Sequence, residues 1–591
     1  MQTNDRQITE LMKAVDSGNA QLPDFQRGWV WDDNRIKSLI ASVTNTFPVG
    51  AAMFLEYGNV NIRFKYRVIE GVPAIGVVPS ELILDGQQRI TSLYSSLYSP
   101  NPVHTRTDKG KDIQRFYYID IEKALDQTCD RVDAIISVPE TRQVTSNFGR
   151  DIELDLSTPD LEYEQKLFPL NIILDYSKTF AWMQGYMLHY KNDAAVMEQW
   201  SEFQGKIIME VFKYKMPVIL LDKATPKEAV CQVFENVNTG GVSLTVFELI
   251  TAIFAMDDFE LRKDWKERYE KYFAGDLLSG VTATDFLTAA TLLSSYKKGG
   301  TVSCKKKDVL NLTLPEYKKY ADALTNGFIE AEKILQEERI FAGRDIPYTT
   351  QLIPLAALCT VLAEGNKIKS TNIKNKIKQW YWCGVFGELY GGANETRYVN
   401  DVVGVMDWIS DDSKLPKTVA ESYFNPLRLL TLQSRVSAAY KGIMALILKN
   451  HSQDFISGRE MDFTAYKAEY IDIHHIFPRD YCEKQRYPKE KWNSVINKTP
   501  ISYSTNREIG GVAPSKYLDK IEDKGQVTAP VLNTYLESHW INVEACRTDD
   551  FDKHIVERAK KLLDAIEDAT GKTISGRDSE DVINKFGSKL K

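Results

Sequence analysis

The sequence predicts an α+β chain built from several domains, and three observations carry that expectation. The chain has 591 residues, more than one hydrophobic core usually organises, so about two to four domains are expected. Strand-like runs mix with helical patterns through the first 255 residues. Residues 256–445 then read as almost wholly helical, and residues 446–591 as polar and loop-rich with a last helix. The expected domains are therefore 1–255, 256–445 and 446–591.

The elements follow in order. "LPDFQRGWVWDDNRIKSLIASV" (22–43) ends in an amphipathic helix capped by Asp32 or Asp33, with Trp29 and Trp31 in the core. Gln26 and Arg27 sit on its strand-like part and need partners if buried. An anion shared with Arg89 would supply one; a carboxylate is the structural alternative. "AAMFLEY", "ELILD" and "MPVILLD" read as strands.

"ELILDGQQRITSLYSSLY" (81–98) reads as a buried strand turning sharply into a helix, with Ile90, Leu93, Tyr94 and Leu97 as its apolar stripe. Asp85 could cap that helix, with Gln88 closing a capping box. Equally, Gly86, Gln87, Gln88 and Arg89 at a helix N-terminus suit a phosphate. "TPKEAVCQVFENVNTGGVSLTVFELITAIF" (225–254) reads as two helices with capping boxes at Thr225/Glu228 and Thr245/Glu248. The break between them spans Asn238, Gly240 and Gly241, either a built turn or a ligand loop.

Four helical patterns fill the middle: "DFLTAATLLSSY", "ADALTNGFIEAEKILQEE", "LIPLAALCTVLAE" and "IKNKIKQWYWCGVFGELY". The aromatics of the last are expected in the core, with the loop after Tyr390 a weaker candidate site. "FDKHIVERAKKLLDAIEDA" closes the chain as a helix.

Composition removes several function classes. No apolar run reaches the ~18 residues that cross a bilayer. The start, "MQTNDRQITELMK", lacks the pattern of a secretory signal. Seven scattered cysteines with no C-x-x-C argue against a disulfide framework or zinc cluster, so a cytoplasmic setting is expected. A net charge of −7 rules against a protein that coats DNA non-specifically. Between Arg479 and Lys520, however, nine Lys/Arg face five Asp/Glu. That excess is either a solvated face or a nucleic-acid surface.

The F-Q-R-x-x-V-W, D-G-Q-Q-R and F-x-x-x-N-x-G-G motifs together resemble the N-terminal domain of GmrSD-type modification-dependent restriction enzymes. The resemblance implies a ParB/sulfiredoxin-like α/β fold that binds and often hydrolyses nucleoside triphosphates. It would place Asp85, Gly86, Gln87, Gln88 and Arg89, with Gln26 and Arg27 nearby, in the nucleotide site. No Walker A motif is present.

"YIDIHHIFPRDY" (470–481) holds two of only seven histidines. Asn497 follows 22 residues after His475, and Asn506 nine later. A strand, a loop and a helix carrying the last ligand is the plan of a ββα-metal nuclease. A neutral histidine can activate water at pH 7, a divalent cation can stabilise charge at the phosphate, and a third group must hold the base's tautomer. The H-H-I-x-P, N and N pattern resembles the HNH nuclease domain that forms the C-terminal half of GmrSD-type enzymes. The implied roles are His475 as general base, His474 and Asn506 as metal ligands, and Asn497 as support for the active-site loop. Asp472 is a further ligand, an orienting carboxylate or equally a charge at the strand edge. The implied cofactors are Mg²⁺ or Mn²⁺, with other transition metals suited to an imidazole ligand, and a nucleoside triphosphate as regulator or substrate.

The whole reads as a prokaryotic anti-phage endonuclease acting on double-stranded, modified or phage DNA, with a homodimer as one way to cut two strands. The rivals are a nucleotide-switched ParB-like DNA-binding protein without nuclease activity, and an HNH-type RNA-cleaving toxin.

Overall fold

The computed structural model describes residues 2–24, 26, 28–29, 31–58, 64–74, 76–146, 151–226, 229–230, 245–275, 277–392, 394–462, 471–524 and 527–591. The chain is an α+β protein in two compact units, Met1–Leu261 and Arg262–Lys591. The expected helical middle and the polar C-terminal segment both fall in the second. Among the described residues no helix is long and apolar enough to cross a membrane.

The first unit centres on a six-stranded mixed sheet. Its strands are β1 (Gln2–Gln7), β2 (Ala20–Pro23), β3 (Ala52–Glu56), β4 (Tyr66–Arg67), β5 (Glu81–Asp85) and β12 (Lys215–Leu221), in the order β1-β12-β3-β5-β2-β4. The apolar runs that predict strands form β3, β5 and β12, which occupy the middle of this order. β12 lies between β1 and β3, and the strands of a second, antiparallel sheet come before it in the chain. That sheet is built from β6 (Val103–Arg106), β7 (Asp112–Asp120), β8 (Ile135–Pro139) and β11 (Leu167–Pro169). β9 (Gln143–Ser146) and β10 (Asp151–Asp155) make a separate hairpin.

Helices Ile8–Asp16, Asp33–Thr44 and Gln87–Leu97 bury Leu11, Met12, Ile36, Ile40, Ile90 and Leu93 in one core. Asp32 is the cap of the second of these, accepting from the Arg35 N–H at 3.0 Å. Trp29 and Trp31 are half-buried against the core rather than inside it.

The capping expectation for Asp85 does not hold. Asp85 is the last residue of β5, and Gly86 is the N-cap, with φ of 89° and no side-chain cap. A Cβ on Gly86 would lie 3.1 Å from the Ala52 Cβ. The left-handed turn and this close approach take the capping position from the aspartate, whose carboxylate pairs with Arg89 one turn on.

The second unit is mostly helical. Helices Leu314–Glu337 and Leu352–Glu364 pack closely at Gly327, where a Cβ would strike Thr360 and the Ala356 carbonyl. Helix Ala283–Lys298 starts at a Thr282/Asp285 capping box. Helix Thr371–Phe386 buries Trp380, Tyr381, Trp382 and Phe386, and Tyr390 beyond it is buried too. Glu338, fully buried, accepts from Trp382 Nε1 at 2.8 Å and pairs with Lys449 and Lys378. Burial disfavours its charge, but Lys449, Trp382 and Lys378 outweigh that and hold it below the usual carboxylate range.

Near the end of the chain, β13 (Ile471–His475) and β14 (Lys498–Ser502) pair antiparallel. The helix Tyr503–Ile509 follows β14 directly, which makes a ββα unit.

Candidate functional site

Strand alternation divides β13. Asp472 and His474 lie on one side of the strand; Ile471, Ile473 and His475 lie on the other. On the first side, Asn506 of the following helix bridges the two polar residues. Its Nδ2 donates to Asp472 Oδ2 at 2.7 Å, which turns its Oδ1 towards His474 Nδ1, 2.9 Å away. His474 is 3% exposed, and its Nε2 is buried with no hydrogen-bond partner among the described residues. Burial is the main reason its pKa falls, to about 4, so the ring is neutral.

His475 belongs to a different set. Its Nε2 lies 3.3 Å from Asn493 Oδ1, and Asn493 Nδ2 lies 3.4 Å from Gln433 Oε1. The second contact orients the amide, so Nε2–H donates to Asn493 and the lone pair remains on Nδ1. Burial first, then Lys498 directly across the strand pair, pushes the pKa of His475 down. Lys498 is itself lowered to about 8 by burial, and its Nζ donates to the Gln433 carbonyl at 2.7 Å.

Asn497 is fully buried, and its side-chain hydrogen bonds all go to backbone. Its Nδ2 donates to the carbonyls of Phe477 and Trp492, both at 2.9 Å, and its Oδ1 accepts from the Phe477 N–H at 2.9 Å. It ties the loop after the histidines to the segment before β14.

Arg558, from the helix Phe551–Thr570, is also fully buried. It donates to the backbone carbonyls of Ile496, of Lys498 at 2.8 Å and of His539 at 3.2 Å. His539 donates from Nε2 to the Gln453 carbonyl at 2.9 Å and accepts from Thr499 at 2.7 Å. Asn493, Lys498, His539 and Arg558 were not singled out by sequence reasoning. Only the nearness of Asn493 and Lys498 to Asn497 hinted at the first two.

Among the described residues no cluster of three or more His, Cys, Asp and Glu side chains forms a metal cage. The set able to hold an ion is His474, Asn506 and Asp472. As it stands, the 2.9 Å between His474 Nδ1 and Asn506 Oδ1 is a hydrogen bond from Nδ1–H, and a cation held by the pair would take the place of that proton. An imidazole nitrogen beside an amide oxygen and a carboxylate suits Mn²⁺ and other transition metals better than Ca²⁺.

In the first unit, Arg89 is committed to the protein. It donates to the carbonyls of Val49 at 2.6 Å and Ala51 at 2.9 Å, and to Asp85 Oδ2 at 3.0 Å. Gln26 Nε2 donates to the Ile83 and Leu84 carbonyls at 2.8 and 3.1 Å, which holds the strand before the Gly86 turn. Gln88 Nε2 reaches the Gly28 carbonyl at 3.4 Å, and Gln87 is buried. Burial raises the pKa of Asp85, with Arg89 and the Gly86 N–H opposing it. A groove beside Arg89 is lined by Trp31, Asn34, Arg35 and Ser38. Arg27, Asn238, Gly240 and Gly241 lie outside the described residues.

This turn, the strand before it and the groove beside it fall within one stretch of known kind. Residues 8–255 match the GmrSD restriction endonuclease N-terminal domain. The match covers less than half of the chain, and every first-unit candidate residue lies inside it. Over 95% of its length the chain is also 28% identical to an uncharacterized protein of Methanocaldococcus jannaschii, of which the alignment covers 98%. The GmrSD N-terminal match ends well before β13, so the case for the ββα unit is made by its own geometry.

Proposed function

We propose that this protein is a restriction endonuclease-related defence enzyme whose ββα unit hydrolyses DNA phosphodiesters with a divalent metal. The observation that carries the reading is the oriented His475: a half-buried, neutral imidazole whose Nε2 is occupied by Asn493 and whose Nδ1 remains basic. Water attacking phosphorus would give its proton to Nδ1, forming the new P–O bond as the bond to the leaving oxygen breaks. Lys498 keeps the imidazole from protonating early and places positive charge beside the site. β13 pairs only with β14 among the described residues, so a phosphate along its other edge would meet side chains from both of its sides. His474, Asn506 and Asp472 would hold the metal, Mn²⁺ or Mg²⁺, which when bound supplies charge stabilisation at the phosphate and the leaving oxygen.

For the first unit we propose binding of a nucleoside triphosphate at the Gly86–Arg89 turn, which lies within the stretch that matches the GmrSD N-terminal domain. Gln26 and Arg89 would shape the turn rather than contact phosphate directly. The substrate would be modified or phage double-stranded DNA.

The test offers modified and unmodified phage DNA, and RNA of matching sequence, with Mn²⁺ or Mg²⁺ and each triphosphate. His475→Ala should lower DNA cleavage by about 10²–10⁴-fold with the circular dichroism spectrum intact. Binding without cleavage under any condition would favour a nucleotide-switched DNA-binding protein, and cleavage of RNA alone a toxin.

A further inference from the structure

The segment just before the helix Ala438–Lys449 is strapped to the ββα unit. The Val495 N–H donates to the Leu432 carbonyl at 2.8 Å, and Lys498 Nζ to the Gln433 carbonyl at 2.7 Å. The Gln433 side chain holds Asn493, the amide that orients His475. Two residues on, the strap turns Arg435 and Val436 outward, Val436 with 91% of its surface exposed. Neither side chain serves the core.

Arg435 reaches both sides of β13. It shares a small cavity with Ile471 and Ile473, which lie on the His475 side, and pairs with Asp472 on the other. That pairing is loose. Its Nη2 is 3.9 Å from Asp472 Oδ1, beyond hydrogen-bond length, and the other Asp472 oxygen already accepts from Asn506. Neighbouring cations are held more firmly: Lys498 by the Gln433 carbonyl, and Arg479 by Glu483 at 2.9 Å. The Arg435 guanidinium is about half exposed and makes no hydrogen bond among the described residues. Its planar fork of donors matches the oxygens of a phosphate.

We propose that Arg435 holds a backbone phosphate of the bound DNA strand, beside the phosphate that is cut. This rests on the reading of the ββα unit as a DNA nuclease. Asp472 lies three strand positions from His475, roughly 10 Å. A strand laid along the open edge of β13 would therefore meet His475 and Arg435 at neighbouring phosphates. Gln433 makes the two contacts one unit, because the residue that holds the base's amide also carries the backbone that presents the cation. Such a contact fixes where the strand lies and carries no sequence information.

The experiment uses the full chain and short duplexes of phage DNA, modified and unmodified. Binding is read by fluorescence anisotropy in EDTA over a range of salt, and cleavage with Mn²⁺ as kcat/KM. Arg435→Gln should weaken binding and lower kcat/KM by about tenfold or more. Its plot of log K against log salt should be about 0.9 less steep, since one phosphate contact is lost. Arg435→Lys, which keeps the charge, should restore the slope. Arg435→Glu, a further variant at the same exposed position, should weaken binding more than Arg435→Gln does. A methylphosphonate moved through the linkages around the mapped cut should find one position that slows wild type about tenfold and Arg435→Gln no further.

Wild type that cuts DNA, with salt slope and kcat/KM unchanged in Arg435→Gln, would overturn the contact and leave the nuclease reading standing. Altered Mn²⁺ affinity with an unchanged salt slope would make Arg435 a partner of Asp472 alone and overturn it likewise. Wild type that neither binds nor cuts DNA would overturn the nuclease reading and the contact together.

Discussion

His475 depends on two amides for its chemistry. Asn493 holds Nε2, and Gln433 holds Asn493. Asn493→Ala should therefore lower cleavage by about 10–100-fold while leaving metal affinity unchanged, measured as kcat beside Mn²⁺ titration. Asn506→Ala should do the reverse, weakening Mn²⁺ by a similar factor because it removes the oxygen beside His474 and the bridge to Asp472. The residue scale is also where sequence reading reached its limit. The chain contains "NSVIN", and spacing alone cannot say which asparagine meets a histidine; the antiparallel pairing of β13 and β14 decides it. Arg89 looked suited to phosphate because it opens a helix. In the fold, the carbonyls of Val49 and Ala51, some 40 positions earlier, approach that helix and claim the guanidinium.

At the scale of elements, short apolar runs located β3, β5 and β12, the first two buried on both faces, and the 3.6-residue period located helices of the second unit. What pattern could not supply was the junction between elements. The β5-to-helix turn rests on Gly86 at φ 89° against Ala52. Gly86→Ala should cost about 1–3 kcal/mol, read as a lower denaturation midpoint, since both the backbone region and the close approach resist a Cβ. In the second unit, Glu338 joins three helical segments through Lys378, Lys449 and Trp382. Glu338→Ala should cost about 3 kcal/mol by leaving two lysines without their shared carboxylate. Urea unfolding followed by tryptophan fluorescence would read both.

For the whole molecule, the chain's scarce histidines set a pH limit. Burial lowers the pKa of His539 to about 3, and buried His554 is lowered in the same direction. The unfolded chain binds protons on both near pH 6.5, whereas the folded chain does not. Their contribution to stability is thus fully present above pH 6.5 and is lost as pH falls. Each should remove about 1.4 kcal/mol per pH unit until its folded pKa is reached. Urea unfolding between pH 7.5 and 5 should show this slope, to which the lowered His474 and His475 also add, so His539→Gln should reduce it by about 1.4 kcal/mol per pH unit without abolishing it. Such a dependence was not legible from sequence, because neither histidine shows its burial until distant segments close around it. His539 meets Thr499, 40 residues away, and Arg558 meets Ile496, 62 residues away.

The division of β13 into two sides has one more consequence. His474 and His475 differ in role only because a strand turns each successive side chain over. Sliding β13 by one position against β14 would exchange them, setting the basic nitrogen among core rings and the buried one beside Lys498. Asn497, gripping the backbone of Phe477 just beyond β13, and Arg558, gripping the Lys498 carbonyl at the start of β14, oppose that slide. Cutting competence is in this sense a matter of alignment as much as composition. On the proposed reading, a chain with every residue intact but its hairpin one notch out would not cut.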